Sequence, residues 1–145
     1  MKVYDLTHTI QNDMPVYPGT EQPKLTTACT IEAVGYRETL LHMFSHTGTH
    51  MDAPAHMLLD GAALDSYPGE KFAGTAVVVD CRERESISLP LLQSYDLDGV
   101  DFVLFCTGWD KKWGSPDYYE GFPCLTADAL SLIHISEPTR PISIS

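Results

Sequence analysis

The chain has 145 residues, 43% of them hydrophobic and 20% charged, with a formal net charge of −11. That length allows one domain with a real core and is short for two, and the composition is that of a globular protein. The acid excess argues against nucleic acid or an anionic membrane as a partner, because both require a basic surface, and the scattered carboxylates read as a solvated acidic face. Of the four cysteines, Cys29, Cys81, Cys106 and Cys124, none forms a CxxC pair. No basic segment leads into an apolar run, and no stretch approaches the ~20 apolar residues that span a bilayer. The expectation is a cytoplasmic protein whose reduced thiols serve as small core residues.

In chain order, "KVYDLTHTI" alternates apolar and polar residues and predicts a first strand. "NDMPVYPGTEQP" is dense in Pro, Gly, Asn and Asp and predicts a loop with turns. "KLTTACTIEAV" and "YRETLLHMFS", rich in Thr and aliphatics on either side of Gly35, predict a strand pair connected near "AVGY". "HMLLDGAALDSYP" allows a short helix before a turn at "YPGE". The β-branched run "GTAVVVDC" predicts a strand buried on both faces. "SLPLLQSYDLDGV" reads as a short helix, "DFVLFCTGW" as a second buried strand ending at Cys106, and "DKKWGSPDYYEGFP" as a loop. "LTADAL" opens a helix with Thr126 as its N-cap and Asp128 in its first turn. Buried strands alternating with helices after a β-rich start point to an α/β fold with a mixed sheet.

The last sixteen residues, "LSLIHISEPTRPISIS", break this pattern with two prolines, several β-branched residues and no amphipathic period. Leu130 to Arg140 resembles, residue for residue, the translation of a common transposase sequencing adapter. The expectation is that residues 1–129 form the N-terminal part of a single domain and that 130–145 is a non-native tail, to be set aside in reasoning about the fold.

The chemistry concentrates in "FSHTGTHMDAPAHML". Neutral imidazole and carboxylate are the usual ligands of zinc and similar divalent ions. His42, His46 and His50 recur every four residues, which would align three rings on a helix. However, Thr47, Gly48 and Thr49 form helices poorly, and Pro54 biases Ala53 toward an extended backbone. The pattern is not HExxH, since no Glu follows the first His. A strand running into a turn fits better: His50 and Asp52 then point to one side, and Gly48 folds the backbone closely enough to bring His46 to the same ion. A single histidine is most often an ordinary surface or core residue, but the clustering here with Asp52 favours a metal site over a plain loop. His42 is expected to pack against the sheet.

"HTGTHMDAPAH", His46 to His56, resembles the HxGTHxDxPxH signature of the cyclase-like metal hydrolases, the family that includes bacterial kynurenine formamidase. "YDLTHTIQNDMPVYPG", "FAGTAVVVD" and "VLFCTGWDKKWGSPDYYEGFPCLTADA" resemble the same family in the same order, so the resemblance covers essentially residues 1–129. It implies a swivelling β/β/α fold, incomplete here at the C-terminus, a homo-oligomer (dimer or tetramer), and one or two Zn2+ or Mn2+ ions per site. It further implies that His46, His50 and Asp52 are metal ligands, Asp52 being able to bridge two ions. It makes His56 the general acid/base and places Tyr17 where the formamidases commonly carry a substrate-stacking Trp. A Tyr offers a smaller aromatic face.

The implied activity is hydrolysis of an amide or formamide bond, most like an arylformamidase converting N-formylkynurenine to kynurenine and formate in tryptophan catabolism. The family draws a further His and a bridging Glu from chain beyond the matched region. His134 and Glu137 stand at a suggestive spacing but lie in the adapter-like tail and are set aside as ligands. The expectation is therefore a chain that holds the first half of a site, binds metal weakly and turns over little substrate. The alternatives are a related hydrolase of another cyclic or acyl amide, of the isatin hydrolase type, and a non-catalytic metal-binding protein. A Cys–His hydrolase is disfavoured because no cysteine lies beside the motif.

Overall fold

In the computed structural model, which describes residues 1–135 and 140–142, the chain divides into two compact units, Met1–Met51 and Asp52–Ser145. No helix among the described residues is long and apolar enough to cross a membrane.

The first unit is built on an antiparallel hairpin, β1 (Lys24–Cys29) and β2 (Glu38–His42), with Lys24 opposite His42 and Thr27 opposite Thr39. The register shifts between Thr27 and Cys29, where Cys29 faces Glu38 and Ala28 is the extra, bulged residue. The connection predicted around Gly35 is a single helical turn, α1 (Ile31–Val34). The Thr30 hydroxyl accepts the Ala33 amide at its start, and Gly35, at φ 84°, closes it by donating to the Ile31 carbonyl. A left-handed residue at that position favours Gly.

The strand predicted over "KVYDLTHTI" does not form: residues 1–11 carry no regular element. The Asp5 carboxylate accepts both the Thr7 amide, at 2.9 Å, and the Thr7 hydroxyl, at 2.7 Å. A short polar side chain that captures its neighbour's backbone amide diverts it from a strand ladder. A different side chain supplies strand-like bonds instead. Asn12 accepts the Leu25 amide through Oδ1 at 2.6 Å and donates through Nδ2 to the Leu25 carbonyl at 3.5 Å, along the edge of β1 away from β2.

The second unit carries the α/β part. Strand β3 (Ala76–Asp80) pairs in parallel with β5 (Phe102–Cys106), Ala76 opposite Phe102, and β5 pairs in parallel with β7 (Arg140–Ile142), giving the order β3-β5-β7. Between the first two lie β4 (Ser86–Ile87) and the short helix α2 (Leu89–Leu92). After β5 come β6 (Cys124–Leu125), parallel to β4, and α3 (Ala127–Ile135). Parallel strands need crossover connections of this kind. Among the described residues, antiparallel and parallel pairing occur in separate small sheets.

The core of this unit is Val79, Cys81, Ile87, Leu92, Val103, Phe105, Ala129 and Ile133. Its composition corrects the expectation that β3 is buried on both faces. Val79 is fully buried whereas Val78, pointing the other way, is 57% exposed. The side chains of α2 and α3 join the face that carries Val79 and Val103, and among the described residues that is the covered face. Strand β5, central in the order, keeps Phe102, Val103 and Phe105 buried as predicted, but Cys106 at its end is exposed. Only Cys81 is a core thiol, and burial pushes it above its ordinary pKa. Helix α3 runs through Ala129 to Ile135, and Ile133 is in the core. The helix thus continues past Ala129 into the segment that the sequence reading set aside from the fold. The Thr126 carbonyl accepts the Leu130 amide at 2.9 Å, and its hydroxyl donates to the Ile87 carbonyl at 3.3 Å.

The entrances to β3 and β5 are tied by Asp101. Its carboxylate accepts the Thr75 amide at 2.8 Å and the Thr75 hydroxyl at 3.1 Å, which hold it below the usual carboxylate range. A folded-state pKa below the unfolded one means that the native state binds fewer protons there. The stability contributed is therefore complete above the ordinary carboxylate pKa and is lost as pH falls through the folded value. Asp101→Asn, which retains an acceptor but cannot titrate, is expected to flatten the acid limb of stability below about pH 4, read by urea unfolding at stepped pH. An unaltered limb would contradict this role. Truncating the fully buried Leu92 to Ala is expected to cost about 2–5 kcal/mol by the same measurement.

Candidate metal centre

The histidine-rich stretch forms a series of bends and not a helix, which agrees with the weak helix formers in it. Gly48 makes the decisive turn, at φ 64°. That left-handed turn aims the Gly48 carbonyl at the ring of His50, whose Nδ1 lies 2.8 Å away. A carbonyl oxygen only accepts, so Nδ1 carries the proton and, in the neutral ring, Nε2 keeps its lone pair. This is the arrangement by which proteins orient a metal-binding imidazole, with one ring nitrogen bonded to the backbone and the other directed at the ion. His50 Nε2 faces His46 Nδ1 at 3.3 Å, and the two rings meet edge to face at 5.1 Å between centroids. With the His50 ring neutral and protonated at Nδ1, His46 Nδ1 would be the donor of this pair, and a His46 that ligates an ion through Nδ1 would carry its proton on Nε2 instead.

Along the same continuous seven-residue stretch, one ligand atom each of His46, His50 and Asp52 fall within 4.8 Å of one another, with all three side chains exposed. Two imidazoles and a carboxylate at that spacing fit a borderline divalent cation such as zinc or manganese. His56 is outside this group. It ends the single 3-10 turn Pro54–His56 and is exposed. Tyr17 is also exposed, in the turn where the Thr20 amide donates to its carbonyl at 2.9 Å. His42 does not pack against a sheet face as expected. It is exposed on β2, with Nε2 3.7 Å from a carboxylate oxygen of Glu21, because Glu21 and its ion-pair partner Lys24 stand beside the hairpin end.

Three residues that the sequence did not single out shape the loops. Thr47, between the first ligand candidate and Gly48, is only 4% exposed, and its hydroxyl has no hydrogen-bond partner among the described residues. Met14 is 1% exposed, and its Cε lies 2.7 Å from where a Cβ on Gly48 would sit. In the second unit, Gly61 lies against the His56 turn. A Cβ there would be 2.6 Å from both the Ala55 nitrogen and the Pro54 oxygen, atoms of backbone that cannot swing aside. The Ala55 amide bonds the Ala62 carbonyl at 3.1 Å across the same contact. The sequence signal was available in "LLDGAA", a glycine between two short apolar runs, but it reads equally as an ordinary turn.

A family model described as "Putative cyclase" matches residues 4–139. The chain belongs to the cyclase family. Kynurenine formamidase of Bacillus cereus is 30% identical over 130 residues, 89% of this chain and 61% of that protein. The kynurenine formamidase of Bacillus cytotoxicus is 31% identical over 104 residues, 71% of this chain and 50% of its own length. Among solved structures, isatin hydrolase A from Labrenzia aggregata, bound to benzyl benzoate, matches with a TM-score of 0.79 at 25% identity, over 97% of this chain and 66% of that one. A potential metal-dependent hydrolase with cyclase activity matches at 0.76 and 31% identity, over 94% of this chain and 64% of that one. The α/β fold is thus that of cyclase-family hydrolases, and the chain spans half to about three fifths of the length of these two formamidases.

The Gly61 contact yields a prediction. Gly61→Ala is expected to displace the Pro54–His56 turn and cost about 1–3 kcal/mol. Gly69→Ala, where nothing lies within 4 Å of the added carbon, is expected to stay within about 0.5 kcal/mol of the parent. Thermal melts of the two variants side by side provide the check, and equal losses would show that the close approach at Gly61 is not limiting.

Proposed function

We propose that this chain carries the metal-binding part of a hydrolase that cleaves an amide or formamide bond, with N-formylkynurenine as the substrate that best fits its relatives. The observation that carries the proposal is the convergence of His46, His50 and Asp52 in a loop whose backbone fixes the His50 tautomer. The names of the relatives support the bond type, an arylformamide in the formamidases and a cyclic amide in the isatin hydrolases. His46 Nδ1, His50 Nε2 and a carboxylate oxygen of Asp52 would hold the ion, Zn2+ or Mn2+. A bound divalent ion supplies acidified water at neutral pH and polarises a carbonyl oxygen.

The remaining work falls to the protein. His56 takes a proton from the attacking water on a ring nitrogen and returns it to the leaving amine, a task suited to imidazole because its ordinary pKa is nearest neutrality. Tyr17 lends an aromatic face to the substrate ring. Asp52 has two oxygens and is the residue suited to bridge a second ion. Further ligands of such a two-ion site, a His and a Glu, are assigned to sequence other than 130–145, which we propose to be an adapter-derived tail. On this reading the 145 residues alone bind metal weakly and turn over little, and the active protein is a cytoplasmic homo-oligomer. A second reading, hydrolysis of a cyclic amide of the isatin type, is favoured by the 0.79 TM-score and by Tyr17 in place of a larger stacking residue.

Two substitutions separate an enzyme from a structural metal site. His56→Gln is expected to abolish N-formylkynurenine turnover by the intact protein while leaving its metal content unchanged, measured by product absorbance and elemental analysis. His50→Ala is expected to lose metal and turnover together. Full activity in the His56→Gln protein would remove His56 from the chemistry. Metal loss with no effect on any amide tested would leave a non-catalytic metal-binding protein.

A further inference from the structure

The Gly48–Thr49 peptide is the backbone element on which the His50 ring depends, since its oxygen receives the Nδ1 proton at 2.8 Å. That peptide is gripped from two directions by the N-terminal stretch of the first unit. On one side the Thr49 hydroxyl accepts the His8 amide at 3.0 Å across 41 residues of sequence. On the other, the buried Met14 side chain fills the space above Gly48 that any Cβ would need. Residues 12 and 14 are themselves braced. The Met14 amide donates to the Gln11 carbonyl at 3.3 Å, and Asn12 is bonded to β1 through both of its side-chain polar atoms.

We propose that residues 5–14 act as a strap that positions the metal loop, and that Thr49 is a positioning residue acting through the Gly48 carbonyl on His50. This rests on the metal-site reading of the loop. A loop of Thr, Gly and Thr has no side-chain bulk with which to hold its own peptide planes, and a glycine at φ 64° has no intrinsic preference for that value over its mirror. Without the strap the Gly48–Thr49 peptide is free to turn, and His50 then exchanges its proton between Nδ1 and Nε2. A ring protonated at Nε2 has no lone pair for an ion approaching from the side of His46. Outer contacts of this kind typically change metal affinity by about 10–100-fold when removed.

The test uses three variants of the intact protein: Thr49→Val, which keeps the shape and loses the acceptor, Thr49→Ser, which keeps the hydroxyl, and Thr49→Ala. In metal-free protein, nitrogen NMR of the imidazoles reads the His50 tautomer. The parent is expected to show Nδ1–H, Thr49→Val a mixture, and Thr49→Ser the parent pattern. Cobalt titration is expected to show affinity about tenfold weaker in Thr49→Val and restored in Thr49→Ser. Should Thr49→Val fail to fold, Ser and Ala differ in the hydroxyl alone and give the same comparison. An unchanged His50 tautomer in the variant lacking the hydroxyl overturns the proposal. Parent protein that binds no cobalt overturns the metal reading instead, and the tautomer comparison still decides whether the strap positions His50.

Discussion

One hydrogen bond governs what the histidine-rich loop can do: the His50 Nδ1 proton resting on the Gly48 carbonyl. It costs the loop a left-handed turn, which only glycine adopts without strain, and it commits the ring to present Nε2 outward. In the same loop His46 faces His50, and a carboxylate oxygen of Asp52 lies near both rings. Were Gly48 any other residue, the added Cβ would also meet Met14 Cε, the end of a flexible side chain that would have to shift, so the main obstacle is conformational. The orientation of the His50 ring is therefore owed to the glycine as much as to the histidine itself.

The α/β core of the second unit obeys a different constraint. A three-strand parallel sheet has two faces to cover, and α2 and α3 bring their apolar side chains to the face carrying Val79 and Val103. At the loop end of β3 the Asp80 carboxylate is bound by Arg82 at 2.8 Å and held below the ordinary carboxylate range by it, with Arg82 held correspondingly high. At the opposite end Asp101 joins β3 to β5. Of the two carboxylates, Asp101 joins the strand entrances, while the Asp80 pair stays within the turn that leaves β3.

Much of this was legible in the sequence wherever a local rule decided the outcome. Gly35 marked the hairpin connection because a left-handed helix end favours glycine, and the β-branched runs marked β3 and β5. The spacing of His46, His50 and Asp52 anticipated their convergence. What the sequence concealed was set by neighbours distant along the chain. Apolar alternation in "KVYDLTHTI" is the signal of a strand, yet Asp5 bonds the Thr7 amide and no strand among the described residues pairs with it. "AVVV" is apolar on both sides, but only the presence or absence of a covering layer decides whether Val78 is buried. Gly61 looks like any turn glycine until the Pro54 backbone is seen against it.

Asn12 has a consequence beyond the loop it braces. A two-strand hairpin presents unsatisfied amides and carbonyls along its outer margins, and such margins recruit extended segments from other molecules. By occupying both polar groups of Leu25, the Asn12 carboxamide acts as a counterfeit strand one residue long. An incoming chain that sought to lengthen the hairpin at that point would find its hydrogen bonds already taken, so β1 is shielded there from fibril-like growth by a single amide side chain.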